Sequence, residues 1–579
     1  MFISEITVNN YRNVSNETIR FSKPCTYIVG ENSLGKTNLL SFLHSVFSKR
    51  CLEESDFYDK DLAVSATIKL RLSPSEIGLF NDIADPFDTS NISISISVED
   101  VDSDFSFLHQ PTGEQIHPSM MRRICFFLFE TLNANSRALD YDRKHGVGRV
   151  LSKGLGIYQE KNGLSTLDFF NTDKLQGLID YLNGLVSNIT LLAPYGIHAG
   201  VDNKEAEILG AIVTLTDEND LHFRRTSSGV QYIALAIMQI FEAIMRLSNS
   251  KLSDSITTNS KGERVLSTII AFDEPEAHLH PYMQRTLVKY LCSVASGEDD
   301  GFNALLKEYF DVDKLDSQII IATHSPSMLS PDYESIVRFG QCGEGNVSVK
   351  CGIDLSLDSQ IQKQLIAQFD SIKEAFFSRG ALVVEGISEA VAIREFSLKQ
   401  DIDLDRLGII LVAADGKRSV PSVCKLLEEF DIPVGSIVDR DDGSHVSAGA
   451  SITTDERDLE AELVESLFGT ANQSVFVTFL ENYESAGRRH KLYKSQLEKA
   501  AKKYHPDWFN GYCFEDMNFV GSRFDGDFQD DNLTRLMMYS WLSSNKGAVF
   551  YKMIGDAIPV EAVPQCYKSI VSTLTGMVS

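Results

Sequence analysis

The chain has 579 residues, 43% hydrophobic and 23% charged, which at roughly 150 residues per domain excludes a single small binding module, a collagenous chain and a wholly disordered one. Its 54 bases against 81 acids leave a formal net charge of −27, which excludes coating of DNA or anionic lipid by bulk charge and confines any nucleic-acid contact to a local surface. Nine cysteines without a C-x-x-C pair exclude a disulfide framework and argue against structural zinc, in keeping with a reducing compartment.

The N-terminus, Met1-Phe2-Ile3-Ser4-Glu5, has neither a basic nor an apolar leader region, so the mature chain is expected to start here. Ile3 to Val8 alternates as a strand does, and Tyr27-Ile28-Val29 is a β-rich apolar run. Gly30-Glu31-Asn32-Ser33-Leu34-Gly35-Lys36-Thr37 follows at once, and Asn38 to Phe47 reads as a helix. This is G-x-x-x-x-G-K-T between a strand and a helix. Gly30, Asn32 and Gly35 belong to a loop whose N–H groups turn toward phosphates, Lys36 brings a positive charge and Thr37 a hydroxyl for magnesium.

Residues 60 to 215 contain strand-like pieces, Ala66 to Leu72 and Asn91 to Val98, then helical patterns around Ser119 to Leu132 and Asp173 to Leu185. A stretch this long is either an interaction arm or a dimerisation module, and dimerisation, in about residues 100–185, is the reading favoured. Gln159 is a candidate magnesium-sensing glutamine that its spacing does not decide. Arg224-Arg225-Thr226-Ser227-Ser228-Gly229-Val230-Gln231 opens a long apolar helix; Gln231, Gln239 and Glu242 mark Gly229 to Leu247 as buried or amphipathic rather than a bilayer span. The apolar strand Ser267 to Phe272 ends in Asp273-Glu274-Pro275-Glu276, where Asp273 can hold magnesium through water and Glu274 can activate water. A second, Ile319 to Ala322, delivers His324 to the same kind of edge, where open α/β sheets bind ligands.

This order of motifs resembles the ABC-type ATPases of DNA repair and chromosome maintenance. The resemblance implies that Ser228 and Gly229 act in trans on a partner's ATP, that Glu274 is the catalytic base and that His324 is the switch histidine. The signature reads TSSGVQ in place of the usual leucine-led form.

From Ala381 the character changes. Ala381-Leu382-Val383-Val384 ends in Glu385-Gly386-Ile387-Ser388-Glu389, and the strand from Pro433 to Val438 ends in Asp439-Arg440-Asp441-Asp442-Gly443. A glutamate and a D-x-D pair on two strand ends make an oxygen-rich site for a hard divalent cation. The block resembles the Toprim fold, and with the preceding ATPase the whole chain resembles the overcoming-lysogenization-defect (OLD) family of nucleases. That family's pattern implies further metal ligands at Glu389, Asp458 and Glu460, and a lysine for the scissile phosphate, best matched by Lys546; the alternative for Lys546 is a helix-capping role. Lys417 is a second phosphate candidate.

Arg488, Arg489, Lys491, Lys494, Lys499, Lys502 and Lys503 against Glu498 form a basic run, read either as a solvated helix face or as a contact for the DNA backbone. The expectation is therefore an α/β protein. An ABC-type ATPase domain (1–350) carries the inserted dimerisation region, a linker spans 351–379, and a Rossmann-like Toprim nuclease domain with a helical C-terminal part spans 380–579. It is expected to use ATP with Mg²⁺, or Mn²⁺ at the nuclease site, and to act on DNA as a cytoplasmic homodimer or higher even-numbered oligomer without membrane contact. The resemblance implies a bacterial antiphage role, with a helicase-like protein or a retron reverse transcriptase and its DNA as possible partners. The rival readings are a non-cleaving ATPase clamp and a topoisomerase-like enzyme; the latter would need a nucleophilic tyrosine.

Overall fold

Largely apolar runs, CTYIVG, IIAFD and QIIIA, become strands buried along their whole length, as parallel strands covered on both faces require. A computed structural model describes residues 1–14, 16–48, 51–121, 123–130, 146–164, 172–201, 213–216, 228–342, 346–440, 450–485, 491–518 and 531–578. It divides the chain into two units, Met1–Leu355 and Ser356–Ser579.

In the first unit β1 (Phe2–Asn9), β2 (Glu17–Arg20) and β3 (Cys25–Gly30) lead into helix α1 (Lys36–Ser48). Strands β4 (Val64–Arg71), β5 (Asn91–Val98) and β6 (Ser106–His109), the short helix α2 (Pro118–Met121) and strand β7 (Phe126–Phe129) follow. Helices α3 (Gly146–Asn162) and α4 (Thr172–Ser187), then strands β8 (His198–Val201) and β9 (Val213–Thr216), precede helices α5 (Ser228–Arg246) and α6 (Asn249–Ser255). The unit closes with β10 (Ile256–Thr258), β11 (Arg264–Leu266), β12 (Ile269–Asp273), α7 (Pro281–Ala295), α8 (Asp300–Phe310), β13 (Lys314–Leu315), β14 (Gln318–Ala322), β15 (Ile336–Cys342) and β16 (Asn346–Cys351).

Two large sheets carry this unit, beside the small pairings β10-β11-β13 and β8-β9. One is antiparallel, in the order β2-β1-β4-β5-β6; β4 turns Val64, Ala66, Ile68 and Leu70 inward in strict alternation. The other runs β16-β15-β3-β14-β12-β7 and is parallel except for its β15–β16 edge. Its register sets Ala322 beside both Ile28 and Asp273, so the turns after β3, β12 and β14 leave from one edge. Leu39, Leu40, Phe42, Leu43 and Val46 bury one face of α1. Residues 106–129, within the stretch expected as an insertion, supply strands to both sheets. The helical pattern expected over Ser119 to Leu132 shortens to α2, because Phe126-Phe127-Leu128-Phe129 is an aromatic β-former that pairs with β12.

The second unit begins with α9 (Ser359–Ile372), β17 (Gly380–Val384), α10 (Ile387–Lys399), β18 (Ile409–Ala413), α11 (Val420–Glu429), β19 (Val434–Val438) and β20 (Ala450–Thr453). Helices α12 (Leu459–Gly469), α13 (Ser474–Ser485), α14 (Lys494–Lys503), α15 (Asp531–Ser544), α16 (Ala548–Ala557) and α17 (Gln565–Val578) complete it. The sheet is fully parallel, β18-β17-β19-β20, and its core joins Leu382 and Ile437 to Trp541, Tyr551 and Tyr567 of the last three helices. α9 lies where a linker is expected: Asp358 accepts the N–H groups of Gln360 and Ile361, both at 2.9 Å, and Ile361, Leu365 and Ile372 are buried. Among the described residues no single helix is long and apolar enough to cross a membrane.

Leu382 has no exposed surface whereas Ile366 is 66% exposed. Leu382→Ala is expected to cost about 3 kcal/mol of second-unit stability by urea unfolding, and Ile366→Ala less than about 0.5 kcal/mol; equal losses would reject this account of the core.

Candidate functional site

The loop after β3 is shaped by glycines that no other residue replaces cheaply. Gly30 has φ 128° and a Cβ there would stand 2.0 Å from the Phe339 carbonyl oxygen; Gly35, at φ 101°, would press on Asn13 and Val14 at 2.8 Å. Asn32 is exposed at the loop's turn. A hydrogen-bond chain supports the loop from outside. Arg12 Nη1 donates to Asn38 Oδ1 (2.7 Å), Asn38 Nδ2 to Asn13 Oδ1 (2.6 Å) and Asn13 Nδ2 to the Ser33 carbonyl (2.8 Å).

Lys36 is buried, with Nζ on the carbonyls of Gly30 (2.8 Å) and Glu31 (2.5 Å). Burial pushes its ammonium down to about 8 against the opposing pull of Glu274, Asp273 and other acids. An anion entering the loop restores the charge that burial disfavours. Thr37 Oγ1 donates to Asp273 Oδ1 at 3.2 Å, which joins the first helix to the end of β12, and burial holds the Asp273 carboxyl above its ordinary range. Glu274 has φ 51°, anchors its N–H on the Ala322 carbonyl at 2.8 Å and turns its carboxylate to His324 Nε2 at 3.5 Å. The His324 N–H donates to Glu276 Oε1 at 2.7 Å; burial and then Lys36 lower the imidazole's affinity for a proton. Lys36, Thr37, Asp273, Glu274 and His324 thus form one group, which also includes Glu276. Gly229 is in the first turn of α5, where a Cβ would meet Met283 Sδ at 2.9 Å. The Ser228 side chain and residues 217–227 lie outside the described residues, and Gln159 is half-buried on α3.

The second centre grows from β17 and β19, which pair in parallel. Glu385 directly follows β17 and Asp439 directly follows β19, and the Asp439 N–H donates to Glu385 Oε1 at 2.8 Å. Glu389, on the first turn of α10, lays Oε2 over Gly386, where a Cβ would be 3.1 Å away. Asp458 caps α12, taking the Ala461 N–H on Oδ1 at 3.0 Å and the Tyr539 hydroxyl on Oδ2 at 2.8 Å. Glu460, 1% exposed, receives the Tyr551 hydroxyl on Oε1 and the Lys546 ammonium on Oε2, the latter at 2.7 Å. Lys417 Nζ donates to the Asp439 carbonyl at 2.5 Å. Burial, then Glu385, Asp458, Glu389 and Glu460, push the Asp439 carboxyl up to about 9.

That set is right in kind for a hard divalent cation: oxygen donors only, with surplus negative charge that a cation would offset. Among the described residues no three His, Cys, Asp or Glu side chains converge to hold an ion, and protein donors occupy oxygens of Glu385, Asp458 and Glu460. Asp441 lies outside the described residues. Tyr539, Tyr551 and the fully buried Tyr567, whose hydroxyl faces the charge of Asp439, are members that the sequence reading did not include. In the basic run Lys494, Lys499, Lys502 and Lys503 are exposed on α14, with Lys494 3.8 Å from Glu498; Arg488 and Arg489 lie outside the described residues.

A family model described as an AAA ATPase domain matches residues 1–117 and 158–329, and one described as an overcoming lysogenization defect protein-like TOPRIM domain matches residues 376–441. The chain is 27% identical over 230 residues to the OLD nuclease of Thermus scotoductus (strain ATCC 700910 / SA-01), a match spanning 39% of this chain and 37% of that relative. It is 21% identical over 559 residues to the Old nuclease of Escherichia phage P2, spanning 87% of this chain and 89% of the relative. Among solved structures, an Smc head bound to the C-winged helix domain of ScpA aligns at 15% identity over 60% of this chain and 97% of that one, with a TM-score of 0.35.

The Asp439 carboxyl at about 9 in the fold, against 3.8 in an open chain, means that the folded protein keeps a proton which the unfolded chain releases. Without metal, stability therefore falls as pH rises from about 4 toward 9. In EDTA the wild-type thermal midpoint is expected to drop by several degrees more than that of Asp439→Asn between about pH 5 and 8.5; parallel curves would reject the assignment.

Proposed function

We propose, on the premise that the chain belongs to the overcoming-lysogenization-defect group by joining an AAA ATPase domain to a TOPRIM domain, that it is an ATP-binding, divalent-metal-dependent DNA endonuclease. The observation that carries this reading is the hydrogen bond from the Asp439 N–H to Glu385 Oε1. It fixes two strand-end acids side by side, within the charge of Glu389, Asp458 and Glu460. The ATPase part is assigned to about 1–350 and the nuclease part to about 380–579.

Bound Mg²⁺ or Mn²⁺ would supply an activated water and charge stabilisation at the leaving oxygen. Glu385, Asp439 and Asp441 are its proposed holders, with Glu389, Asp458 and Glu460 on the second position. Lys546 offers an ammonium to the charge that builds on the scissile phosphate. Lys417 keeps the end of β19 in place through the Asp439 carbonyl. In the first unit Lys36 and the loop around Gly30, Asn32 and Gly35 would bind the phosphates of ATP, Thr37 and Asp273 would hold its Mg²⁺, Glu274 would take a proton from the attacking water and His324 would orient Glu274. Ser228 and Gly229 are read as the signature that a second copy contributes, so the working form is a homodimer or a larger even-numbered assembly. We read the setting as the bacterial cytoplasm and the role as antiphage defence, with cleavage restrained until infection; a helicase-like protein or a retron reverse transcriptase with its DNA would fit as a partner.

The test is cleavage of supercoiled plasmid by the full chain with Mg²⁺ or Mn²⁺, with and without ATP. Wild-type protein is expected to nick it, Glu385→Ala to lose about a hundredfold or more, and Lys36→Ala to lose the effect of ATP. Plasmid retained by the protein yet uncut under every condition, with no response to Glu385→Ala, would favour the non-cleaving clamp.

A further inference from the structure

Both oxygens of Glu460 are already engaged. Tyr551 donates to Oε1 and Lys546 stands 2.7 Å from Oε2. The two donors come from one short piece of chain: Lys546 precedes Gly547, the N-terminal residue that opens α16, and Tyr551 lies on the first turns of that helix. They differ in freedom. Tyr551 is buried with the core, whereas the Lys546 side chain is 49% exposed, so the phenol is fixed by packing and the ammonium can swing into solvent. Asp458 beside them is held more rigidly, by the Ala461 N–H and by Tyr539.

A divalent cation on Glu460 and an ammonium 2.7 Å from the same carboxylate exclude each other, since the repulsion between the two positive charges in a buried setting exceeds what one carboxylate returns. We propose that Glu460 is a shared seat, taken by Lys546 in the resting protein and by a divalent cation in the loaded one, so that arrival of the cation releases Lys546 toward the substrate phosphate. Tyr551 is a positioning residue that keeps the carboxylate in place for either occupant. The inference rests on the nuclease reading and adds a coupling to it: the cation and the phosphate-facing lysine are armed by one exchange, and a site short of metal keeps its lysine withdrawn.

The experiment uses the full chain without DNA or ATP. Mn²⁺ is titrated, its binding is followed by the loss of the free-ion electron paramagnetic resonance signal, and at each point amines are acylated briefly and Lys546 modification is measured by peptide mass spectrometry against the exposed Lys363. Lys546 labelling is expected to rise severalfold in step with Mn²⁺ uptake while Lys363 stays level. Glu460→Gln is expected to give high Lys546 labelling with no Mn²⁺ and no further rise, and Tyr551→Phe to weaken Mn²⁺ binding about tenfold. Saturable Mn²⁺ binding with unchanged Lys546 labelling would overturn the exchange and leave the nuclease reading standing. No Mn²⁺ binding at all would remove the metal-dependent reading and the exchange together.

Discussion

Like charges in a dry place set the terms for the second unit. Glu385, Glu389, Asp439, Asp458 and Glu460 gather toward one sheet edge, where burial and the neighbouring acids raise the Asp439 and Glu460 carboxyls. The fold answers with donors: the Asp439 N–H on Glu385, Tyr539 and the Ala461 N–H on Asp458, Tyr551 and Lys546 on Glu460. What these leave uncompensated appears at Asp439, whose carboxyl retains its proton to about 9. The helices α15, α16 and α17 are therefore more than a cover for the sheet, since each brings a buried tyrosine to the acids and at the same time buries its apolar face in the core.

The first unit meets the opposite problem with a different device. The buried cation of its site is the Lys36 ammonium, which settles on two loop carbonyls and drops to about 8 despite the pull of Glu274 and Asp273. Both centres share one geometric cause. Parallel strands in register end together, so the turns that carry Lys36 and Asp273, or Glu385 and Asp439, leave from one edge although the residues are distant in sequence.

The strand-end groups were legible because in each case a turn glycine or an acid directly follows a largely apolar run: Gly30 after CTYIV, Asp273 after IIAF, Glu385 after ALVV, Asp439 after VGSIV. Local order carries that information. The loop's outer support, Arg12, Asn13 and Asn38, was not legible, since its hydrogen bonds join residues whose spacing matches no motif. Tyr539, Tyr551 and Tyr567 were hidden for another reason: a buried aromatic at helical spacing looks the same whether its hydroxyl meets a carboxylate or only fills space. The strand β7 escaped because a helix-compatible stretch at 119–125 runs without punctuation into the aromatic run Phe126-Phe127-Leu128-Phe129, and only its place beside β12 decides its form.

The donors that calm the acids come late in the chain. Tyr551 stands 91 residues after Glu460, an interval that takes a ribosome roughly 5 to 20 seconds at ordinary rates of synthesis. During that interval the strands and their acids have been made while the lysine and tyrosines that complete the centre have not. A half-made chain thus carries Asp458 and Glu460 before the phenols and the ammonium that partner them in the finished fold, and until α15 and α16 have been made water alone must answer their charge.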